Sequence, residues 1–188
     1  MQDPDGDWIS RARRGDKAAF GTLVDRHYER VYALAYGVLH EREAARDTAQ
    51  EVFLKVFREI GKFEGRSKFK TWLHRVAVNA ALDYARKRHP EESIDRTEED
   101  DDRPQRVLRE TGPGPRELAS RRELKAMVEE ALAGLSPDHR AVLHLREWEG
   151  LSYEEITEIL GIEMGTVMSR IFYARKRLGE ILKVKTQK

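Results

Sequence analysis

Apolar residues recur at three- and four-residue steps along most of the chain, the period of helices with one buried side. Phe20, Leu23, Val24, Tyr28, Val31, Ala35 and Val38 make the first stripe, and Asp16 after Gly15 is placed to cap it, which predicts a helix over residues 17–40. Ala45, Ala49, Val52, Phe53, Val56 and Ile60 repeat the period in a second helix that Gly61 should end. Trp72, Val76, Ala80 and Tyr84 give a third stripe, which runs to the basic tip Arg86, Lys87, Arg88 before Pro90 stops it. Between the second and third helices lies a short basic loop, FEGRSKFK, at residues 63–70.

The period returns towards the C-terminus. Leu118, Leu124, Val128 and Leu132 lie on one helix that ends near Gly134, and Pro137 suits the first turn of the next, whose buried side is Val142, Leu143 and Leu145. Ser152 with Glu155 three positions on is a capping box, opening a short helix that Gly161 closes. Another helix opens near Thr166, with Val167, Ile171, Ala174, Leu178 and Ile181 as its inner stripe. Two helices about a tight glycine turn have the layout of a helix-turn-helix. The expected fold is all-α: two small helical domains, residues 1–90 and 117–188, the second a helix-turn-helix.

Residues 91–116 separate them. This stretch is poor in apolar residues, carries a Glu/Asp cluster and closes on Gly-Pro-Gly-Pro, so a flexible acidic linker is expected. The whole chain has a net charge of only +1, but the three segments carry +5, −4 and 0. A basic body is therefore hidden behind an acidic tether. The tether either weakens nonspecific DNA affinity by repulsion or only keeps the chain soluble. With no cysteine there is no disulfide, thiolate zinc site or cysteine nucleophile. The longest apolar run, residues 31–39, is far short of the roughly 20 residues that span a bilayer. The acidic, polar first residues are unlike a signal peptide. A cytoplasmic protein with no direct membrane insertion is expected.

Two segments carry nucleic-acid chemistry. Between Thr166 and Leu178 stand Arg170, Arg175, Lys176 and Arg177 with no acidic residue, whereas the preceding helix carries Glu154, Glu155 and Glu158. Only the second helix suits a phosphate-lined groove. Ser169, Phe172, Tyr173 and Lys176 share a face away from the inner stripe, where they can meet base edges or backbone. The plainer alternative is a basic helix end that favours its own dipole. In the first domain, Arg66, Lys68, Lys70, Arg75, Arg86, Lys87 and Arg88 are interleaved with Phe63, Phe69, Trp72 and Tyr84, a mixture that suits unpaired bases. Core packing is an equal claim on Trp72 and Tyr84.

In their order along the chain, GDKAAFGTLVDRHYERVYALAYGVL, DTAQEVFLKVF, FEGRSKFKTWLHRVAVNAALDYARKR and LSPDHRAVLHLREWEGLSYEEITEILGIEMGTVMSRIFYARKRL resemble the two-domain, extracytoplasmic-function (ECF) type of bacterial RNA polymerase sigma factor. The resemblance implies a transcription initiation factor that binds core RNA polymerase, directs it to promoters and helps melt the minus-ten element. Its implied partners are promoter DNA, the clamp helices of the largest polymerase subunit, the flap of the second-largest and an inhibitory anti-sigma factor. No cofactor or metal is implied. Polymerase docking would fall on Asp47, Gln50, Glu51 and Leu54, which share a helix face that is equally an ordinary solvated one. The minus-ten contacts would fall on Phe63, Arg66, Ser67, Lys68, Phe69 and Lys70 of the loop, with Arg75, Asn79, Asp83 and Arg86 on the next helix. The minus-thirty-five contacts would fall on Thr166, Met168, Ser169, Arg170, Phe172, Tyr173 and Lys176.

Three positions depart from the family pattern. Met168 stands where Lys or Arg is common, Tyr173 where a basic residue is frequent, and Glu163 where the turn usually has Pro. Met cannot make the bidentate guanine contact, which is worth about 1–3 kcal/mol of discrimination, so an atypical minus-thirty-five preference is expected. Two other function classes compete. A stand-alone regulator would bind duplex tightly by itself, as a symmetric dimer on paired half-sites. A metal hydrolase using His139, His144 and Asp138 is disfavoured, because histidines five apart on a helix do not share a face; His27, His40, His74 and His89 form no ligand cluster either.

Overall fold

The computed structural model describes residues 4–88 and 116–186, with side chains for 4–88, 125–180 and 182. The linker expected at 91–116 lies outside the described residues except for Arg116, which opens a helix. The described residues form eight α-helices and one 3-10 turn, and none of them is in a strand.

The first half begins with a helix the periodicity does not reveal, α1 (Gly6–Arg13), which buries only Ile9 and Ala12, too few positions to display a period. In α2 (Lys17–Leu39), the Asp16 carboxylate accepts from the Ala19 amide at 3.0 Å. That bond satisfies one of the orphan donors of the first turn. The helix stops at His40, which adopts a left-handed φ of 56°. Next come α3 (Arg42–Glu59) and the 3-10 turn Ile60–Lys62. α4 (Phe69–Arg88) starts inside the expected basic loop. Its buried side also differs from the expected stripe: of Trp72, Val76, Ala80 and Tyr84 only Val76 is buried, alongside Phe69, Leu73, Ala77, Val78, Ala81 and Leu82. The cause is tertiary. α4 meets α2 and α3 as well as α6 and α7, so its covered surface is too wide for one stripe.

In the second half, α5 (Arg116–Ala133) leads to α6 (Pro137–Glu147), capped by Ser136 with Pro137 in the first turn. α7 (Tyr153–Leu160) carries the full capping box: the Glu155 amide donates to Ser152 Oγ at 3.2 Å, and the Ser152 amide donates to Glu155 Oε2 at 2.9 Å. Gly161 then turns the chain at φ 66°, a region where a side chain would be strained. α8 (Met164–Thr186) starts two residues before Thr166.

The two halves share one core. Leu23, Val31, Leu34 and Val38 of α2 belong to the same apolar cluster as Val142, Leu145, Ile156, Ile159, Val167 and Ile171, all at most 2% exposed. Each such side chain contributes about 1.5–3 kcal/mol relative to exposure. Two polar details fix the junction. The buried Arg140 guanidinium donates across it to the Val38 carbonyl at 2.6 Å and, within its own half, to those of Leu135 at 2.8 Å and Ala133 at 3.2 Å. Gly37 of α2 lies so close to His144 of α6 that a Cβ there would stand 2.3 Å from His144 Nδ1.

Candidate nucleic-acid interface

Two surfaces have the chemistry of DNA binding. The first is the loop between the 3-10 turn and α4. Phe63 closes against Phe69 and Trp72, with ring centroids 5.8 and 5.2 Å away, so the loop is anchored by an aromatic cluster. Phe69 is only 1% exposed and meets His27 edge-on at 5.5 Å. It therefore supports the loop from beneath and cannot touch a base, which corrects its expected place among the contacts. Arg66 and Lys68 are exposed, Ser67 and Lys70 half-exposed. Along α4, Asn79, Asp83 and Arg86 face solvent, with Arg86 and Asp83 paired at 3.3 Å, while Arg75 pairs at 3.1 Å with Glu158 of the second half.

Beside the loop opens a cleft of about 340 Å³, lined by Asp5, Arg26, His27, Arg30, Lys68 and Lys70. Asp5 is held there by Arg26 at 2.7 Å and His27 at 2.8 Å. Two of these lining residues also meet a carboxylate from the second half: Glu149 lies 3.1 Å from Lys70 Nζ and 3.4 Å from both Arg30 Nε and His74 Nε2. Burial pushes the His74 imidazole down to about 4, outweighing the pull of Glu149, and Lys70 and Arg30 push the same way. His74 is thus neutral at pH 7, and the compensating charge on Glu149 comes from Arg30 and Lys70. Sequence reasoning does not single out Arg26, Arg30 or Glu149. The arginines sit four apart on a helix whose signal is its apolar stripe, and Glu149 is a single charge in a connection.

The second surface is the outer face of α8. Val167, Ile171 and Ala174 are buried, which leaves Met168, Ser169 and Lys176 exposed and Thr166, Phe172 and Tyr173 half-exposed on the outside. Arg170 is different: only 14% exposed, it holds Asp138 of α6 at 3.0 Å. This ion pair braces α8 against α6, so the expected DNA contact is a structural tie in this arrangement. Arg175 likewise pairs with Glu147. On α3, Asp47, Gln50, Glu51 and Leu54 are all exposed. Leu54 at 56% is joined by Phe57 at 46%, a docking candidate that the sequence pattern leaves unmarked although it lies one turn further on the same face. Among the described residues, no group of three or more His, Cys, Asp or Glu could hold a metal ion, and no helix is long and apolar enough to cross a membrane.

Residues 23–90 match the family model of Sigma-70 region 2, and residues 125–178 match that of Sigma-70 region 4. The chain is 39% identical over 185 residues to the RNA polymerase sigma-H factor of Pseudomonas aeruginosa, covering 96% of this chain and 95% of that one. The chain belongs to the ECF sigma factors of the sigma-70 family. It is also 36% identical over 173 residues to the ECF RNA polymerase sigma-E factor of Escherichia coli K12, covering 90% of each. Two solved structures resemble this sigma factor. That of CnrH in complex with the cytosolic domain of CnrY has a TM-score of 0.64 at 25% identity, covering 94% of this chain and 96% of that chain. That of the sigma factor RpoE with the anti-sigma factor NepR from Bartonella quintana has a TM-score of 0.63 at 27% identity, covering 88% and 97%. Region 2 thus takes in the loop, α4 and the α3 face, and region 4 takes in the helix-turn-helix of α7 and α8.

Proposed function

We propose that this sigma factor carries core RNA polymerase to promoters by dividing three tasks among three exposed surfaces. Asp47, Gln50, Glu51 and Leu54, extended by Phe57, dock on the clamp helices of the largest subunit. Polar groups around an apolar contact of this kind are what a separable protein interface needs. Phe63, Arg66, Ser67, Lys68 and Lys70, with Arg75, Asn79, Asp83 and Arg86 of α4, take the opened minus-ten strand. Unstacking a base costs a few kcal/mol, and stacking it on an aromatic side chain returns about 1–3, so a loop built on Phe63 and Trp72 can hold an extruded base without ATP. Thr166, Met168, Ser169, Phe172, Tyr173 and Lys176 enter the major groove of the minus-thirty-five element, while Arg170 keeps α8 in position. The acidic linker spans the polymerase between the two, and region 4 also meets the flap of the second-largest subunit.

The protein works in the cytoplasm and has no catalytic step of its own; bond formation belongs to the polymerase. The two solved relatives bound to CnrY and to the anti-sigma factor NepR support control by an anti-sigma partner. The observation that carries this reading is the order of regions 2 and 4 along one chain that aligns over almost its full length with RNA polymerase sigma factors. Run-off transcription of genomic fragments by core polymerase with and without the protein tests it. Start sites that depend on the added chain are expected. Their absence, together with tight duplex binding by the chain alone, would instead indicate a stand-alone regulator.

A further inference from the structure

The Glu149 side chain is 8% exposed and reaches from the connection between α6 and α7 into a basic recess of the first domain. Its Oε2 is set between Lys70 Nζ at 3.1 Å and Arg30 Nε at 3.4 Å, two side chains that also line the cleft with Arg26 and Lys68. A buried carboxylate persists only where charge and hydrogen bonding replace its lost water. A recess that satisfies one anionic oxygen in this way has what a phosphate oxygen requires: two cations converging from different helices, both of which also line the cleft. Lys70 already belongs to the proposed minus-ten surface, and Arg75, further along α4, is similarly engaged by Glu158 at 3.1 Å.

We propose that Arg30 and Lys70 form a site for a backbone phosphate of the opened promoter strand, and that in the closed chain Glu149 fills it as an intramolecular stand-in for that phosphate. The inference rests on the sigma-factor reading above and adds Arg30 as a strand-binding residue and Glu149 as its competitor. The second domain must withdraw before the first can take this phosphate, so the free chain binds single strands more weakly than its basic surface would suggest.

The test is fluorescence anisotropy of the full-length chain with a short labelled single-stranded oligonucleotide of random sequence, titrated across salt concentrations. Glu149→Gln should bind several-fold more tightly than wild type, with a log–log salt slope steeper by about 0.7 for each further phosphate neutralised. Glu154→Gln makes the same charge change at an exposed position of α7 and should move neither quantity. Arg30→Ala should bind no more tightly than wild type, and the double variant should lose the increase seen with Glu149→Gln. Equal affinities for Glu149→Gln and Glu154→Gln would overturn the proposal. So would tighter binding by Arg30→Ala, since the pair would then be only a clasp between domains. Run-off transcription by the wild-type holoenzyme runs in parallel. Initiation without tighter binding by Glu149→Gln removes the shared site alone, whereas no initiation removes the promoter reading beneath it.

Discussion

Replacing either of two glycines in α2 by alanine should have unequal effects on stability, a gain at one and no gain or a loss at the other. In a helix interior Ala is favoured over Gly by about 0.5–1 kcal/mol. At Gly21 an added Cβ has nothing within 4 Å, so Gly21→Ala should raise the unfolding free energy by that amount. At Gly37 the same Cβ would stand 2.3 Å from His144 Nδ1, 2.9 Å from Cγ and 3.0 Å from Cε1. The imidazole has little room to retreat, being 7% exposed and stacked on Trp148 at 5.5 Å with 6° between the ring planes. Overpacking of this kind costs about 1–3 kcal/mol, which cancels or exceeds the helical gain. Gly37→Ala should therefore lie about 1–3 kcal/mol below Gly21→Ala, a gap that is the cost of the clash. Urea titrations followed by far-ultraviolet circular dichroism and by tryptophan fluorescence measure both, the second probe reporting Trp8, Trp72 and Trp148 together. If Gly37→Ala stabilises as much as Gly21→Ala, then α2 and α6 do not pack as described and the shared core of the two domains is refuted.

Three further outcomes follow from individual side chains. Burial holds His74 and His144 down to about 4, below the 6.5 of a free histidine. Unfolded chains thus bind more protons between about pH 4 and 6.5, and the stability these groups contribute is complete above that window and lost on acidification, on the order of 2 kcal/mol each at pH 5. Urea midpoints at pH 5 and 7.5 should show the drop, and His74→Gln should shrink it. Leu54→Ala should weaken polymerase binding about tenfold in a titration with unchanged melting, and Phe57→Ala should weaken it as much with a small loss of stability from its edge-on contact with Phe20. Phe53→Ala, at 7% exposure and stacked on Tyr28, should instead cost roughly 3–5 kcal/mol of stability. Equal losses of affinity and stability in all three would remove the docking face. Lys176→Ala should flatten the salt dependence of duplex binding by the holoenzyme by about one unit, while Arg170→Ala should chiefly lower the melting temperature by breaking its tie to Asp138.

The helical class, the capping box and the glycine turn are legible in the sequence because each depends on neighbours within a few residues. Asp16 and Ser152 cap helices as their side-chain chemistry predicts, and Gly161 adopts the left-handed turn that closes α7. What escapes is set by contacts distant in sequence. Phe69 reads as one more aromatic in a basic loop, yet α2 covers it through His27. Arg170 reads as a groove cation, yet Asp138 lies 32 positions away and claims it. On α4 four neighbouring helices widen the buried surface until no single stripe remains. Periodicity reports how many sides of a helix are covered and is silent on what covers them.

That distinction bears on the order in which the surfaces can act. In the closed chain Leu54 and Phe57 on the α3 face are about half exposed, while Lys70 and Arg75 are held by Glu149 and Glu158. On the proposed assignment, docking on the polymerase requires no rearrangement, whereas engaging the minus-ten strand requires three ion pairs, those of Arg30 and Lys70 with Glu149 and of Arg75 with Glu158, and an apolar junction to part. A ligand whose competent state is only fractionally populated binds with its affinity reduced by that fraction. Any polymerase contact that holds region 4 away from region 2 removes that reduction without touching DNA. If the proposed phosphate site is used, promoter binding is coupled to prior assembly with polymerase through the competition for Lys70 and Arg30, and a chain freed of Glu149 should show less dependence on core polymerase for binding single strands.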